Sequence, residues 1–405
     1  MRSLGVLVGR AIPSMIRTAG YQRIVVASGL ANLGDGIRQV ALPLLVASIT
    51  QDALLVAGMT AFAYLPWVLL SLPIGAWVDR NRPEVFLIAA GVTRAGLLAI
   101  LAVALLTDVR SVALLYAVAF LLGVGEAAYD NASQSLMPRV VPDALLEKAN
   151  GSLVGAERLG QDLIGPAVGG VIFAVSAALP FGLSALALFV AVALIVPIRT
   201  ARPVIADRST PGVLVREAAA GLRWLWQSQL IRTIILAGAG LTFFTQTWEP
   251  ILVLLAGSSA AGFGLVLAIG AVGGIVGALA TPGLTRRFDH RLLQISALGL
   301  AAAVDLALAA VPRPAMAAMT LAAVSFSFAV WNVLSITMRQ RLVPAEFLGR
   351  VNAASRTLSM TAALTGTLSG GAIAAWLGLS APLWVSGAAL VLLALRFAQL
   401  TRSGA

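Results

Sequence analysis

Asp35, Arg38, Arg94 and Glu126 are ionisable residues inside otherwise apolar stretches of this sequence. A charge near the centre of a membrane-spanning helix costs about 2.5–3.5 kcal/mol on insertion scales, so a charge kept there asks for a role. Asp35 and Arg38 are three residues apart and share one helix face. Asp35 is a proton site if Arg38 releases it in some state, and otherwise half of a structural ion pair. Arg94 and Glu126 fall at similar depth on two neighbouring apolar stretches that run in opposite directions, which makes a second pair plausible. That pair either takes part in coupling or simply neutralises two charges inside a bundle.

A second group is polar and aromatic. Thr242, Gln246 and Glu249 recur on one helix face, with Phe243, Phe244 and Trp248 around them. A lining of this kind with one carboxylate suits a cationic or amphipathic ligand; rings facing lipid are the alternative for any single aromatic. Ser325, Asn332 and Ser335 form a matching stripe further on, with Phe328 and Trp331 close by. Asp305 is a further charge inside an apolar stretch. The single histidine, His290, sits among Arg287, Asp289 and Arg291 and reads as a solvated loop residue without a metal to bind. With no cysteine in the chain, disulfides, thiol catalysis and thiolate metal sites are excluded. No phosphate-cradling Gly-x-x-x-x-Gly-Lys-Ser/Thr loop is present, and no cofactor is expected.

The elements that carry these residues are long and apolar. Hydrophobic residues make up 59% of the 405, and charged residues only 11%, against roughly 25% in an average soluble domain. So little charge cannot cover a water-facing surface, and most of the surface must face lipid. A helix needs roughly 20 apolar residues to cross the hydrocarbon core. Apolar stretches of that length fall at about 23–49, 54–78, 85–106, 112–135, 151–174, 179–198, 231–256, 260–284, 292–311, 315–338, 351–376 and 382–399. The fold class is therefore an all-α membrane protein with about twelve transmembrane helices. No alternation of the kind a barrel needs is present.

The formal charge of +11 points to membrane topology and not to nucleic acid. The basic residues crowd into alternate loops, around 79–82, 139–148, 199–223, 286–291 and 339–350, and into both ends of the chain. By the positive-inside rule both termini are expected in the cytoplasm. Residues 1–22 lack an apolar core followed by a cleavage site, so no removable signal peptide is expected. Residues 199–230 read as a cytoplasmic linker. Leu214, Ala218, Leu222 and Leu225 recur there at helical spacing, either in a helix on the inner membrane surface or in a plain linker helix.

The two sides of that linker repeat one another. Gly75-Ala76 returns as Gly277-Ala278, Arg139…Pro142 as Arg341…Pro344, and Asn150 as Asn352, each 202 positions later. Two six-helix halves follow, 1–198 and 231–405, in the manner of transporters that hold substrate near the membrane midplane.

On these residues the chain resembles the major facilitator superfamily over essentially its whole length. Gly75, Asp79, Arg80 and Arg82 match that family's Gly-x-x-x-Asp-Arg-x-x-Arg loop after the second span, except that Arg82 replaces the usual glycine and Pro83 follows. The second copy, from Gly277, loses the acid. Gly165, Pro166, Gly169 and Gly170 match the Gly-Pro-x-x-Gly-Gly run of the family's proton-coupled exporters. With Gly34-Asp35-Gly36 and Arg139…Pro142…Asn150, the chain is most similar to the bacterial branch of siderophore exporters of the enterobactin type and macrolide efflux proteins. The resemblance implies a gating latch at Asp79 and Arg80, with Arg80 reaching Asp130 and Asp79 near the start of the eleventh span, a charged loop that only sets topology being the alternative. It also implies that Asp35, Glu126, Glu249 and Asn332 face a central cavity, that Asp305 on the peripheral ninth span is structural, and that the glycine run is a hinge or seal, ordinary helix packing being the alternative.

The expected function is therefore secondary active export of a small amphipathic molecule from a bacterial inner membrane. The expected mechanism is proton antiport by alternating access, and the expected working unit a monomer. A proton symporter on the same fold, a membrane enzyme using carboxylates alone, and a lipid scramblase or sensor are the other readings. No nucleic-acid partner and no enzymatic activity are expected.

Overall fold

The computed structural model describes residues 19–79, 81–109, 111–141, 149, 152–153, 155–157, 159–198, 223–255 and 259–401. The helices run in the order α1 (Ala19–Ile49), α2 (Ala53–Asp79), α3 (Pro83–Leu106), α4 (Val112–Val140), a π-helical turn Leu159–Ile164 leading into α5 (Gly165–Val175), and α6 (Leu179–Ile195). After the linker come α7 (Gln229–Trp248), α8 (Ala260–Leu284), α9 (His290–Ala310), α10 (Pro314–Leu342), α11 (Ala345–Leu377) and α12 (Ala381–Leu400). Among the described residues there is no strand, and nine helices are long and apolar enough to cross a membrane. The chain is an all-α membrane protein of the twelve-helix design the apolar stretches predict.

Local chemistry sets many of the boundaries. Pro83 and Pro314 open α3 and α10, each after an extended arginine, where the missing proline N–H costs nothing. Ser259 caps α8 by accepting a hydrogen bond from the Gly262 N–H. The Asp52 carboxylate accepts one from the Leu54 N–H at the start of α2. α11 stops at Gly378, whose φ of 93° suits glycine alone. Pro250 cannot continue the α7 hydrogen-bond ladder, so the chain passes into a 3-10 turn over Glu249–Ile251.

Two compact units form. One gathers α1 as far as Ala41, Leu69–Arg110 and the described part of Leu121–Ala206; the other holds Leu42–Val68, Ser111–Phe120 and the described part of Asp207–Ala405. The end of α1, the first part of α2 and the start of α4 thus pack with the second half of the sequence. In that second unit Ala53 and Ala57 of α2 share a buried cluster with Ile251 and Ala374. The Tyr116 hydroxyl donates to the Leu55 carbonyl at 2.6 Å.

The pairings inside the units repeat. α3 lies along α6 in the first and α9 along α12 in the second, while α8 packs on α10 and α7 on α11. Small residues make the close approaches possible: a Cβ on Gly277 would stand 2.6 Å from the Phe326 carbonyl oxygen. Of the expected linker helix, Leu214, Ala218 and Leu222 lie outside the described residues, as do residues 1–18. Leu225 is buried with Ile231, Ile235, Val343 and Val351.

Candidate functional site

The first unit holds a charged cluster where α1, α3 and α4 meet. Asp35 stands midway along α1 and is 5% exposed; Arg38 on the next turn is 8% exposed and Arg94 on α3 only 1%. Arg94 donates to Asp35 Oδ1. Arg38 donates to the same oxygen at 3.3 Å and to Glu126 Oε2 at 2.7 Å. The four side chains carry two positive and two negative charges and make one chain of contacts, Arg94–Asp35–Arg38–Glu126. The Asp35–Arg38 pair is the one the spacing predicts. The predicted Arg94–Glu126 pair does not form. Asp35 stands between both arginines and takes Arg94, so Glu126 receives Arg38 instead.

The neighbours explain how Arg94 gets there. A Cβ on Gly125 would fall 2.5 Å from Arg94 Cγ, so this glycine leaves the arginine stem its path across α4. The guanidinium then lies 5.7 Å from the centre of the Tyr129 ring, a cation–π distance. The Nε atoms of Arg38 and Arg94 are buried without a partner. The cluster is neutral overall yet incompletely satisfied, which is expensive in a low-dielectric setting.

The glycine run of α5 is built against this cluster. A Cβ on Gly165 would stand 2.7 Å from Gly36 Cα, and one on Gly169 2.7 Å from the Ile37 carbonyl oxygen. Gly36 in turn meets Gln161, whose Cα would be 2.9 Å from an added Cβ. Backbone therefore touches backbone along the two residues that follow Asp35. Pro166 occupies the first turn of α5, directly after the π-helical turn; such turns recur at functional sites. Gly170 is buried in the same helix.

In the second unit the expected lining divides. Thr242, Phe328, Trp331, Asn332 and Ser335 border a cavity of about 50 Å3 together with Arg339. Gln246 and Glu249 are not among its walls. They bond each other instead, Nε2 to Oε2 at 2.8 Å, and Thr367 of α11 donates to the Gln246 oxygen at 3.4 Å. Trp248, expected as ligand-facing, corrects that expectation. Its side chain is wholly buried, and its Nε1–H donates to Asp305 Oδ2 at 3.3 Å. An indole is buried whole only when its N–H finds a partner, and α9 supplies one. Asp305 also accepts from Ser386 of α12 at 2.6 Å, so it ties α7, α9 and α12 together, in keeping with a structural reading.

Of the gating motif, Arg80 and the side chains of Gly75 and Asp79 lie outside what is described, so the expected Arg80–Asp130 contact does too. Asp130 is half-buried one turn beyond Glu126. Arg82 pairs with Glu84 in the first turn of α3, at 2.7 Å, where the helix dipole favours the acid. His290 is the first residue of α9 and is half-buried.

Sequence reasoning missed Arg339 and Arg356. Arg339 is 9% exposed in the last turn of α10, and Arg356 lies inside α11 with its guanidinium 5.3 Å from the Trp67 ring centre. The signal was present for Arg356, a charge within an apolar stretch. Arg339 was hidden by Arg341, which made both look like loop charges.

A family model described as transmembrane secretion effector matches residues 13–402. The chain is similar to the enterobactin exporter EntS of Citrobacter koseri, 26% identical over 394 residues that cover 94% of this chain and 92% of that one. It is also similar to the multidrug efflux pump Tap of Mycolicibacterium fortuitum, 27% identical over 395 residues covering 91% and 94%. A solved bacterial homologue of the iron transporter ferroportin superposes with a TM-score of 0.72, covering 94% of this chain and 98% of that one at 17% identity. A bacterial homologue of the lysosomal transporter Spinster gives 0.70, covering 96% and 97% at 14%. At such identities the two structures speak for the fold.

Proposed function

We propose a function from the family to which this chain belongs, the transmembrane secretion effectors of the major facilitator superfamily. The chain is a multi-pass membrane transporter. In our reading it exports a small amphipathic molecule across the bacterial inner membrane, in exchange for protons, by alternating access. The relatives' names, an enterobactin exporter and a multidrug efflux pump, support the outward direction.

The observation that carries the coupling is the Arg94–Asp35–Arg38–Glu126 chain. Asp35 is the carboxylate on which both arginines converge. A proton on Asp35 would weaken its hold on both arginines and leave Arg38 to Glu126. That re-pairs charges across α1, α3 and α4 while the close α1–α5 contact transmits the shift. Each protonation state then favours a different arrangement, which is what a coupled exchanger requires.

The test is accumulation of macrolides, siderophores and cationic dyes in energised inverted vesicles, with and without an uncoupler, for wild type and Asp35→Asn. Uncoupler-sensitive accumulation by wild type that the variant loses is the expected result. Accumulation indifferent to both the uncoupler and the substitution would sink proton antiport and return Asp35 to a structural role.

A further inference from the structure

The polar cavity of the second unit carries a cation and no anion. Arg339 borders it, buried, and its one hydrogen bond runs from Nε to the Ser335 carbonyl oxygen at 3.2 Å. Among the described residues its two terminal nitrogens have no partner, and it takes part in no ion pair. Beside it, Ser335 is 7% exposed, and its hydroxyl is buried without a hydrogen bond. Asn332, Ser355 and Ser359 add further polar groups around the same space. The acid nearest in role, Glu249, is engaged with Gln246 and does not reach the cavity.

Helix C-termini favour cations, and that accounts for an arginine in the last turn of α10. It does not account for burying one beside an idle hydroxyl. The terminal nitrogens of Arg339, unpartnered among the described residues, are free to take an anion in charge-assisted hydrogen bonds. The space is of the size of a carboxylate or phenolate head, not of a whole ligand. Trp331 and Phe328 offer apolar surface next to it.

We infer that this cavity is the headgroup subsite for an amphipathic organic anion, held by Arg339 with Ser335. The inference rests on the exporter reading and deepens it: the cargo is anionic at its polar end, not the cationic species that Glu249 alone would suggest. An anionic lipid phosphate shares the chemistry and is separated by the test.

The experiment is calorimetric titration of the purified full chain in phosphatidylcholine nanodiscs with 1-naphthoate, and with 1-naphthylmethylamine as its cationic counterpart of like shape. Naphthoate binds wild type and the amine does not. Losing charge-assisted hydrogen bonds in Arg339→Gln weakens binding roughly tenfold to a hundredfold, and Arg339→Lys restores much of it. Ser335→Ala gives a smaller loss. Naphthoate binding unchanged in a well-folded Arg339→Gln protein, or preference for the amine, overturns the inference. So does loss of naphthoate binding when phosphatidylglycerol is added to the nanodiscs, which would assign the subsite to a lipid head. The export reading stands or falls separately, on whether any compound of the vesicle panel moves in an uncoupler-sensitive way.

Discussion

Removing Asp35 and removing Arg94 should not have additive costs. Asp35 accepts from Arg94 and, at 3.3 Å, from Arg38, while Arg38 also holds Glu126 at 2.7 Å. In Asp35→Asn the two arginines lose the carboxylate they share, and Arg94, 1% exposed, keeps a positive charge with no other carboxylate at ion-pair distance among the described residues. Stripping one member from a buried ion pair costs about 3–5 kcal/mol, and the upper part of that range fits the near-total burial of Arg94. Arg94→Met should cost less, on the order of 1–3 kcal/mol, because Asp35 still has Arg38 and the thioether fills the path beside Gly125. The double variant leaves a neutral Arg38–Glu126 pair and a neutral amide next to methionine. Replacing a buried pair by neutral groups is often nearly free, so the double should be more stable than Asp35→Asn alone. The coupling should then reach about 1–3 kcal/mol. The assay is equilibrium unfolding of the four purified proteins in mixed detergent micelles, followed by helical circular dichroism. A double variant whose loss equals the sum of the single losses, within about 0.5 kcal/mol, would refute the picture of one linked cluster. The double variant also separates folding from coupling: stable, it should still fail uncoupler-sensitive accumulation.

Two further outcomes follow from the packing. Gly36→Ala should destabilise the first unit by about 1–3 kcal/mol, because the new methyl meets the Gln161 backbone and not a flexible side chain; a melting temperature equal to wild type would mean that α1 and the π-helical turn before α5 are not in backbone contact. Trp248→Phe removes a donor from Asp305 and leaves only Ser386. It should cost about 1–3 kcal/mol while leaving 1-naphthoate binding intact, and lost naphthoate binding in a folded variant would contradict its placement away from the cavity.

The helices were legible because each is announced twice, by an apolar run near bilayer thickness and by proline, glycine or charge at its ends. Pro83, Pro314 and Gly378 mark boundaries in the sequence and in the structure alike. Asp35 and Arg38 were legible as a pair because their spacing is local. The partner of Arg94 was not, because it depends on which of two acids three converging helices bring within reach, and equal depth along neighbouring spans cannot decide that. Trp248 was misjudged for a related reason. It neighbours Glu249 in sequence, but the 3-10 turn forced by Pro250 begins right after it, and the indole is claimed by Asp305, 57 positions away in sequence. Local periodicity identifies a face; it does not say whether the face meets a cavity or another helix.

The 202-position repeat does not extend to the chemistry of the two sites. The counterparts of Asp35, Arg38, Arg94 and Glu126 are Ala237, Gly240, Ser296 and Phe328, none of them ionisable. In the reverse direction Arg339 and Arg356 correspond to Met137 and Val154, and Asn332 to Asp130. Close glycine contacts occur in both halves, though one position out of that register: Gly165 and Gly169 press on α1, and Gly366 and Gly370 press on the backbone of α7. The halves thus share close helix packing without sharing a charged cluster. A charge cluster copied into both halves would double the insertion cost of buried ions without adding a second gradient to use. On this argument, transplanting ionisable residues to positions 237 and 240 should impair folding without creating a second proton site.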